Sequence, residues 1–244
     1  MKRFSKKEFS PKTSFSIVVP FRNEKENLPN LLHSISLLNY PKELVEVILV
    51  DDDSEDKFRI QNLEFRIQMI KNVRKSNSPK KDAIETAIQI AKHDWIITTD
   101  ADCLVQKDWL TSFDQLIQGK KLEFIASGVC YVPKNGFLSA FQNLDFLSLQ
   151  GATIGSFGIN QPFMCNGANF AYSKSFFKEL NGFQGNETIA SGDDVFLLQK
   201  AVSVAPKKVG FLLAKESIVA TNPVATWSDL FQQRVRWASK STGY

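Results

Sequence analysis

The chain predicts an α/β fold with a mostly parallel central sheet flanked by helices, and two observations carry that expectation. Its clearest strand-like runs, residues 15–20 (FSIVVP) and 45–50 (VEVILV), are apolar nearly throughout instead of alternating. That is the pattern of strands covered on both faces. Between them, and repeatedly afterwards, lie segments with apolar residues at helical spacing, and strands that alternate with helices build parallel sheets.

Taken in order, residues 15–20 form a strand, 29–38 a helix and 45–50 a second strand, a β-α-β opening. Residues 65–70 are a weak strand, 82–92 an amphipathic helix, 95–99 a strand, 107–118 a helix and 124–129 another strand. After about residue 130 the alternation loosens. A helix is expected over 137–149, a short strand over 169–173, a helix over 193–204, strands over 209–213 and 217–220, and a last helix over 227–239 that Thr226 opens as N-cap. The organisation expected is a basic arm (1–13), one domain (14–240) of two halves, 14–130 and 131–240, and a short end (241–244).

The 244 residues, 43% hydrophobic and 23% charged, suit one globular domain with a large core. The net charge of +4 is concentrated at Lys2, Arg3, Lys6, Lys7 and Lys12. This arm reads as a solvated tail or as a juxtamembrane segment drawn to anionic lipid, with nucleic acid the least favoured partner. It lacks the apolar segment of a secretory signal. The longest uncharged stretch, 146–172, is interrupted by Gln150, Asn160, Gln161, Pro162, Asn166 and Asn169, so it reads as buried or interfacial rather than as a membrane span. Cys103, Cys130 and Cys165 match neither a disulfide framework nor a zinc pattern, and a reducing cytosolic compartment follows most simply. With His33 and His93 as the only histidines, both in helix-like polar segments, a histidine triad or zinc site is disfavoured.

The chemistry-bearing residues fall where an open α/β sheet places its ligands, at strand carboxyl ends. Asp51-Asp52-Asp53 ends the second strand, where a carboxylate either accepts from a nucleobase or ribose or makes an Asx-turn. Asp100-Ala101-Asp102 taken alone reads as a solvated loop, but it follows the buried strand at 95–99, and carboxylates at i and i+2 repel unless a cation or proton compensates, which favours a divalent metal site, Mg2+ or Mn2+. Ser191-Gly192-Asp193-Asp194 stands before a helix, either as a simple cap or with Asp194 as general base and Asp193 positioning it. On the last helix Gln233, Arg236 and Trp237 share one face, suited to diphosphate and sugar contacts, or to burial of an ordinary core tryptophan.

In this order, Val19-Pro20-Phe21-Arg22-Asn23-Glu24, Val50-Asp51-Asp52-Asp53-Ser54, Asp100-Ala101-Asp102, Cys165-Asn166-Gly167-Ala168-Asn169, Ser191-Gly192-Asp193-Asp194 and Gln233-Arg234-Val235-Arg236-Trp237 resemble glycosyltransferase family 2 over about residues 14–240. These are inverting, nucleotide-sugar-dependent enzymes of GT-A fold, and the QxxRW pentad points to their membrane polysaccharide-synthase branch. The resemblance implies that Pro20, Phe21 and Glu24 line the nucleotide pocket and that Asp52 contacts the base or ribose. It further implies that Asp100 contacts sugar or ribose, Asp102 holds the metal, Asp194 is the base, and Gln233, Arg236 and Trp237 hold diphosphate and acceptor. The sequence departs from the family at Asp53, where glycine is frequent, at Asp193 in place of glutamate, and at Ser78-Pro79-Lys80-Lys81, which lacks the glycine that often precedes the lysine.

The expected reaction is transfer from a nucleotide sugar, with a UDP-sugar the leading donor, to a saccharide or lipid-linked acceptor, giving a β-glycoside. The expected location is the cytoplasmic face of a membrane, as the catalytic segment of a longer membrane protein attached through flanking segments. Two other readings stand beside it. One is a non-catalytic nucleotide-sugar-binding subunit; the other is a sugar nucleotidyltransferase, which would favour a glycine-rich triphosphate loop that residues 15–24 do not show.

Overall fold

The computed structural model of the chain describes residues 9–59, 65–185 and 192–238. Most of the basic arm, Ser191 and the end from residue 239 onward lie outside the described residues. The expected α/β class holds. A seven-stranded sheet has the order β3-β2-β1-β4-β7-β5-β8, built from β1 (Phe15–Phe21), β2 (Val45–Asp51), β3 (Arg66–Lys71), β4 (Trp95–Thr98), β5 (Phe124–Ser127), β7 (Phe170–Ser173) and β8 (Val209–Leu212). All neighbouring pairs run parallel except those of β7, which is antiparallel to both β4 and β5.

The apolar runs follow from coverage of both faces. Phe15, Ile17 and Val19 of β1 pack on one side with α1 (Leu28–Ser36) and α3 (Trp109–Gly119), through Leu28, Leu31, Leu110 and Phe113. Val18 of β1, with Ile48 and Val50 of β2, faces the other side, where α2 (Pro79–Ile90) and α6 (Asp193–Val204) bring Ala83, Ile84, Ala87, Leu197 and Leu198. A strand buried on both faces has no solvent side on which to place polar residues.

The structure corrects the expected strand at 124–129. It breaks at Gly128 into β5 and a separate β6 (Val129–Tyr131), which joins β9 (Val219–Thr221) in a small parallel two-stranded sheet. At the break the Val129 N–H leaves the ladder and donates to Gln150 Oε1 (3.2 Å). The strand expected at 217–220 pairs instead over Val219–Thr221, because Lys215–Ser217 forms a 3-10 turn. The helix expected at 137–149 continues as α4 (Phe137–Gly158) through Gly151 and Gly155. Within it the hydroxyls of Thr153 and Ser156 bond back to helix carbonyls, Thr153 Oγ1 to Leu149 O (2.9 Å) and Ser156 Oγ to Thr153 O (2.7 Å). A short helix not anticipated, α5 (Lys174–Glu179), is opened by Ser173, whose hydroxyl accepts from the Phe176 N–H (3.1 Å). The last helix is α7 (Trp227–Ala238), with Thr226 Oγ1 accepting from the Asp229 N–H (3.1 Å).

Candidate active site

The strand order reverses between β1 and β4, the switch point where an open sheet parts to admit a ligand. The parting has a visible cause. Pairing of β1 with β4 reaches only Val18↔Thr98, closed by Thr99 N–H donating to Val18 O (3.2 Å), whereas β1 and β2 stay paired to Phe21↔Asp51. Pro20 faces the side β4 has left, so its missing N–H forfeits no ladder bond. Phe21 beside it is buried and Pro20 half-buried.

The loops beyond β1 and β2 are laced together. Asn23 N–H donates to Ser54 Oγ (3.0 Å), Glu55 N–H to Asn23 Oδ1 (2.8 Å) and Lys25 N–H to Asp56 Oδ2 (2.8 Å). Asn23 and Asp53 both take left-handed backbone, with φ of 57° and 62°. Among non-glycine residues Asn and Asp carry that conformation at least cost, so the turn is kept where the family often has glycine. Within the acidic triplet the roles divide: Asp51 makes an Asx-turn to Ser54 N–H (2.9 Å), and Asp52 turns inward. Arg74 grips both Asp52 oxygens, Nε at 2.5 Å and Nη2 at 2.7 Å, and Asn72 Nδ2 adds a third donor at 2.7 Å. Neither Asn72 nor Arg74 was singled out in the sequence. Their only signal there is position, since they follow β3 at the same carboxyl edge.

On the β4 side, Asp100 and Asp102 part. Asp100 accepts from Lys80 Nζ (2.6 Å), on the first turn of α2. Asp102 accepts from Thr221 Oγ1 (2.9 Å), on β9. Burial pushes the Asp102 carboxyl above the usual range, and the charge of Asp100 adds to the rise. Glu24 is raised too, first by burial and then by Asp102, Asp100 and Asp56. Three carboxylates from two strand ends thus feel one another across the crevice.

A divalent cation is compatible with this oxygen-only, like-charged set, because its charge offsets both the burial of the Asp102 carboxylate and the smaller repulsion from Asp100. Among the described residues no three His, Cys, Asp or Glu side chains converge as a complete metal cluster. Asp102, with Glu24 and Asp100 nearby, would hold such an ion only with further oxygens from a bound molecule.

Opposite them, α6 begins at Asp193 and Asp194. Gly167, in the loop before β7, donates its N–H to Asp194 Oδ2 (2.7 Å), and Thr98 Oγ1 holds the Gly167 carbonyl (2.9 Å). A Cβ on Gly167 would stand 3.2 Å from Lys80 Nζ, 3.3 Å from Asp194 Oδ2 and 3.4 Å from Asp193 Oδ2, so any side chain there would push these groups outward by a few tenths of an ångström. Lys80, paired with Asp100, also feels the charges of Asp193 and Asp194, which stabilise its ammonium.

The C-terminal helix joins through β6 and β9. Thr221, which holds Asp102, lies opposite Tyr131 in the small sheet, and the Tyr131 hydroxyl donates to Gln233 Oε1 (3.4 Å). Trp237 is half-buried against Phe146, with ring centroids 6.1 Å apart, and Arg236 is exposed. The inward arginine of α7 is Arg234, which ion-pairs with Asp145, donates to Gln233 Oε1 (2.7 Å) and lies over the Trp237 ring at 4.2 Å. The histidines are remote from this chemistry: His33 is on the last turn of α1 and His93 precedes β4, at the opposite end of the sheet.

The glycosyl transferase family 2 profile matches residues 16–180, more than half of the chain. Glycosyltransferase AglE of Haloferax volcanii is 21% identical over 231 residues, covering 91% of this chain and 70% of the relative. The poly-beta-1,6-N-acetyl-D-glucosamine synthase of Staphylococcus epidermidis is 22% identical over 96% of this chain, which spans only 56% of that protein. Two solved structures share the fold. The mannosyltransferase PcManGT of Pyrobaculum calidifontis, in complex with GDP-Man and Mn2+, superposes with a TM-score of 0.66 at 16% identity, covering 95% of this chain and 64% of that one. Staphylococcus aureus TarS in complex with UDP-GlcNAc does so with a TM-score of 0.62 at 18% identity, covering 88% and 60%. With these likenesses added to the switch-point crevice and its carboxylates, the chain belongs to glycosyl transferase family 2 and is a glycosyltransferase of GT-A fold.

Proposed function

We propose that the chain transfers a sugar from a nucleotide-sugar donor, a UDP-sugar first among them, to a saccharide or lipid-linked acceptor, with inversion to a β-glycoside and with a divalent cation. The observation that carries this reading is the convergence of Asp102, Asp100, Lys80, Gly167 and Asp194 at the switch point. The TarS complex with UDP-GlcNAc and the PcManGT complex with GDP-Man and Mn2+ support the donor class and the cation.

The residues divide the work. Pro20, Phe21, Glu24 and the Arg74-Asp52-Asn72 group line the nucleotide side, and Asp100 reaches toward ribose or sugar. A cation held by Asp102 and the donor diphosphate would supply electrostatic stabilisation of the departing charge. Asp194, its Oδ2 fixed by Gly167 N–H and its Oδ1 by Val195 N–H (2.9 Å), takes the proton of the acceptor hydroxyl as that oxygen attacks the anomeric carbon and the bond to diphosphate breaks. Asp193 supports Asp194, and Gln233, Arg236 and Trp237 bound the acceptor side.

Thermal unfolding with UDP, GDP and their sugars, each with and without Mn2+ or Mg2+, tests this reading. Donor at 100 times its dissociation constant adds about 2.7 kcal/mol, roughly 5–10 °C for a domain of this size. A shift that needs both one nucleotide and the metal is the expected result. No shift with any pair would overturn donor binding by this chain, and a shift without release of nucleoside diphosphate in the presence of acceptor would favour the non-catalytic subunit.

We also place the chain at the cytoplasmic face of a membrane. No helix among the described residues is long and apolar enough to cross one. Two helices instead carry large apolar side chains on the outside, those of α7 set among exposed Ser228, Asp229, Gln232 and Arg236. The buried residues of α4 are Ser139, Gln142, Phe146, Thr153 and Ser156, while Phe137 (78%), Leu144 (72%) and Leu147 (59%) are exposed. On α7 Leu230 is buried, and Trp227, Phe231 and Val235 face outward. Trp227 packs against Phe137 and Phe141, at centroid distances of 6.1 and 5.5 Å, so the two faces are continuous. A continuous aromatic and aliphatic face of this kind suits the interfacial zone of a bilayer.

A further inference from the structure

One cation is already built into the crevice. Lys80 Nζ stands 2.6 Å from Asp100 Oδ1 and is half-buried. On its other side it approaches the point beside Gly167 that Asp193 and Asp194 also crowd. The acidic groups around it are Asp100 at the end of β4 and Asp193 and Asp194 at the start of α6, and their charges stabilise the ammonium. Glu24 and Asp102 complete the negative lining of the crevice.

We infer that Lys80 is the resident counter-cation of the donor site, holding Asp100 so that a divalent ion binds appreciably only together with the donor diphosphate. This rests on the metal-dependent reading above. Without donor, an incoming dication meets a crevice in which Asp100 is already neutralised and an ammonium repels it. Asp102 alone, with its Thr221 bond, is a poor site for an ion that takes six or more oxygens. Donor diphosphate reverses the balance by adding negative charge and further oxygen ligands. Metal entry and donor entry are thereby coupled through one positioning residue, and a stray cation does not occupy the site between turnovers.

The experiment is Mn2+ binding to the purified chain, followed by the electron paramagnetic resonance signal of free Mn2+, with and without saturating UDP or GDP, each read against the same nucleotide without protein because a diphosphate chelates Mn2+ by itself. In the wild type, affinity without nucleotide should be at least tenfold weaker than with the nucleotide that binds. Lys80→Met should bind Mn2+ without nucleotide at least tenfold tighter than the wild type, and Lys80→Arg, which keeps the charge, should resemble the wild type. Equal Mn2+ affinity of wild type and Lys80→Met without nucleotide would overturn the inference while leaving the metal-dependent reading intact. Wild-type affinity that is the same with and without nucleotide would overturn it without recourse to any variant. No Mn2+ binding with either nucleotide would overturn both.

Discussion

Asp194 concentrates the mechanistic content of the site in one side chain. Its two oxygens each accept a backbone N–H, so the carboxylate is held in one orientation with lone pairs left for an acceptor hydroxyl. Asp194→Asn preserves shape and can still accept from Gly167, but it cannot take a proton. Turnover should fall by about 10²- to 10⁴-fold, with the metal-dependent shift in melting temperature on adding donor retained. Wild-type turnover in that variant, measured by release of nucleoside diphosphate, would remove Asp194 from the role. The carboxylates are legible in the sequence because several acidic clusters recur in order at element ends along one edge of the sheet, although each alone also fits a cap or an Asx-turn. Their partners were not. Arg74, Thr221 and Tyr131 reach the crevice through loops and a small sheet whose pairing no local pattern encodes, and Arg234 stands inward only because α7 docks with that face against Asp145.

The elements that place these residues were read with uneven success, for physical reasons. β1 and β2 were legible because a strand with both faces covered must be apolar at every position. α4 was read short, since its inner face is polar and its outer face apolar, the reverse of an ordinary surface helix. β6 and β9 were blurred into longer strands because their three-residue pairing is set by where Gly128 and the Lys215–Ser217 turn leave the main sheet. The loop from Asn166 to Asn169 is where element geometry governs the chemistry. Asn169 Nδ2 donates to Gly128 O (2.7 Å) and Ser217 O (2.8 Å), and its Oδ1 accepts from Trp109 Nε1 (3.0 Å), which anchors the loop in the core. Gly167 can therefore not retreat when crowded. Gly167→Ala should lower kcat roughly tenfold or more through displacement of Lys80 and Asp194, with little change in melting temperature because no left-handed backbone is involved. A variant with unaltered kcat would show that the close approach is incidental to catalysis.

At the scale of the molecule, the part of the chain after residue 130 faces the strand ends of the first half through Asp193 and Asp194, and it carries an apolar face on α4 and α7. The chain spans 70% of AglE and 56% of the poly-beta-1,6-N-acetyl-D-glucosamine synthase. The inside-out pattern has an energetic meaning. Each large apolar side chain left in water forgoes about 1.5–3 kcal/mol that burial would return, and Phe137, Leu144, Leu147, Trp227, Phe231 and Val235 do so together. A bilayer interface would recover part of that energy from all of them at once while leaving Gln233 and Trp237, on the same helix α7, at the edge of the crevice. Insertion and acceptor delivery would then share one helix. Vesicles of mixed neutral and anionic lipid should co-sediment the wild-type chain, and the double substitution Leu144→Glu with Phe231→Glu should reduce that binding at least tenfold, since a carboxylate forced toward hydrocarbon is strongly disfavoured. The donor-dependent shift in melting temperature should survive the double substitution, because neither residue lies at the switch point. Equal sedimentation of the two proteins would mean that α4 and α7 face something other than lipid, and loss of the donor shift along with membrane binding would mean that the two helices hold the crevice itself in shape.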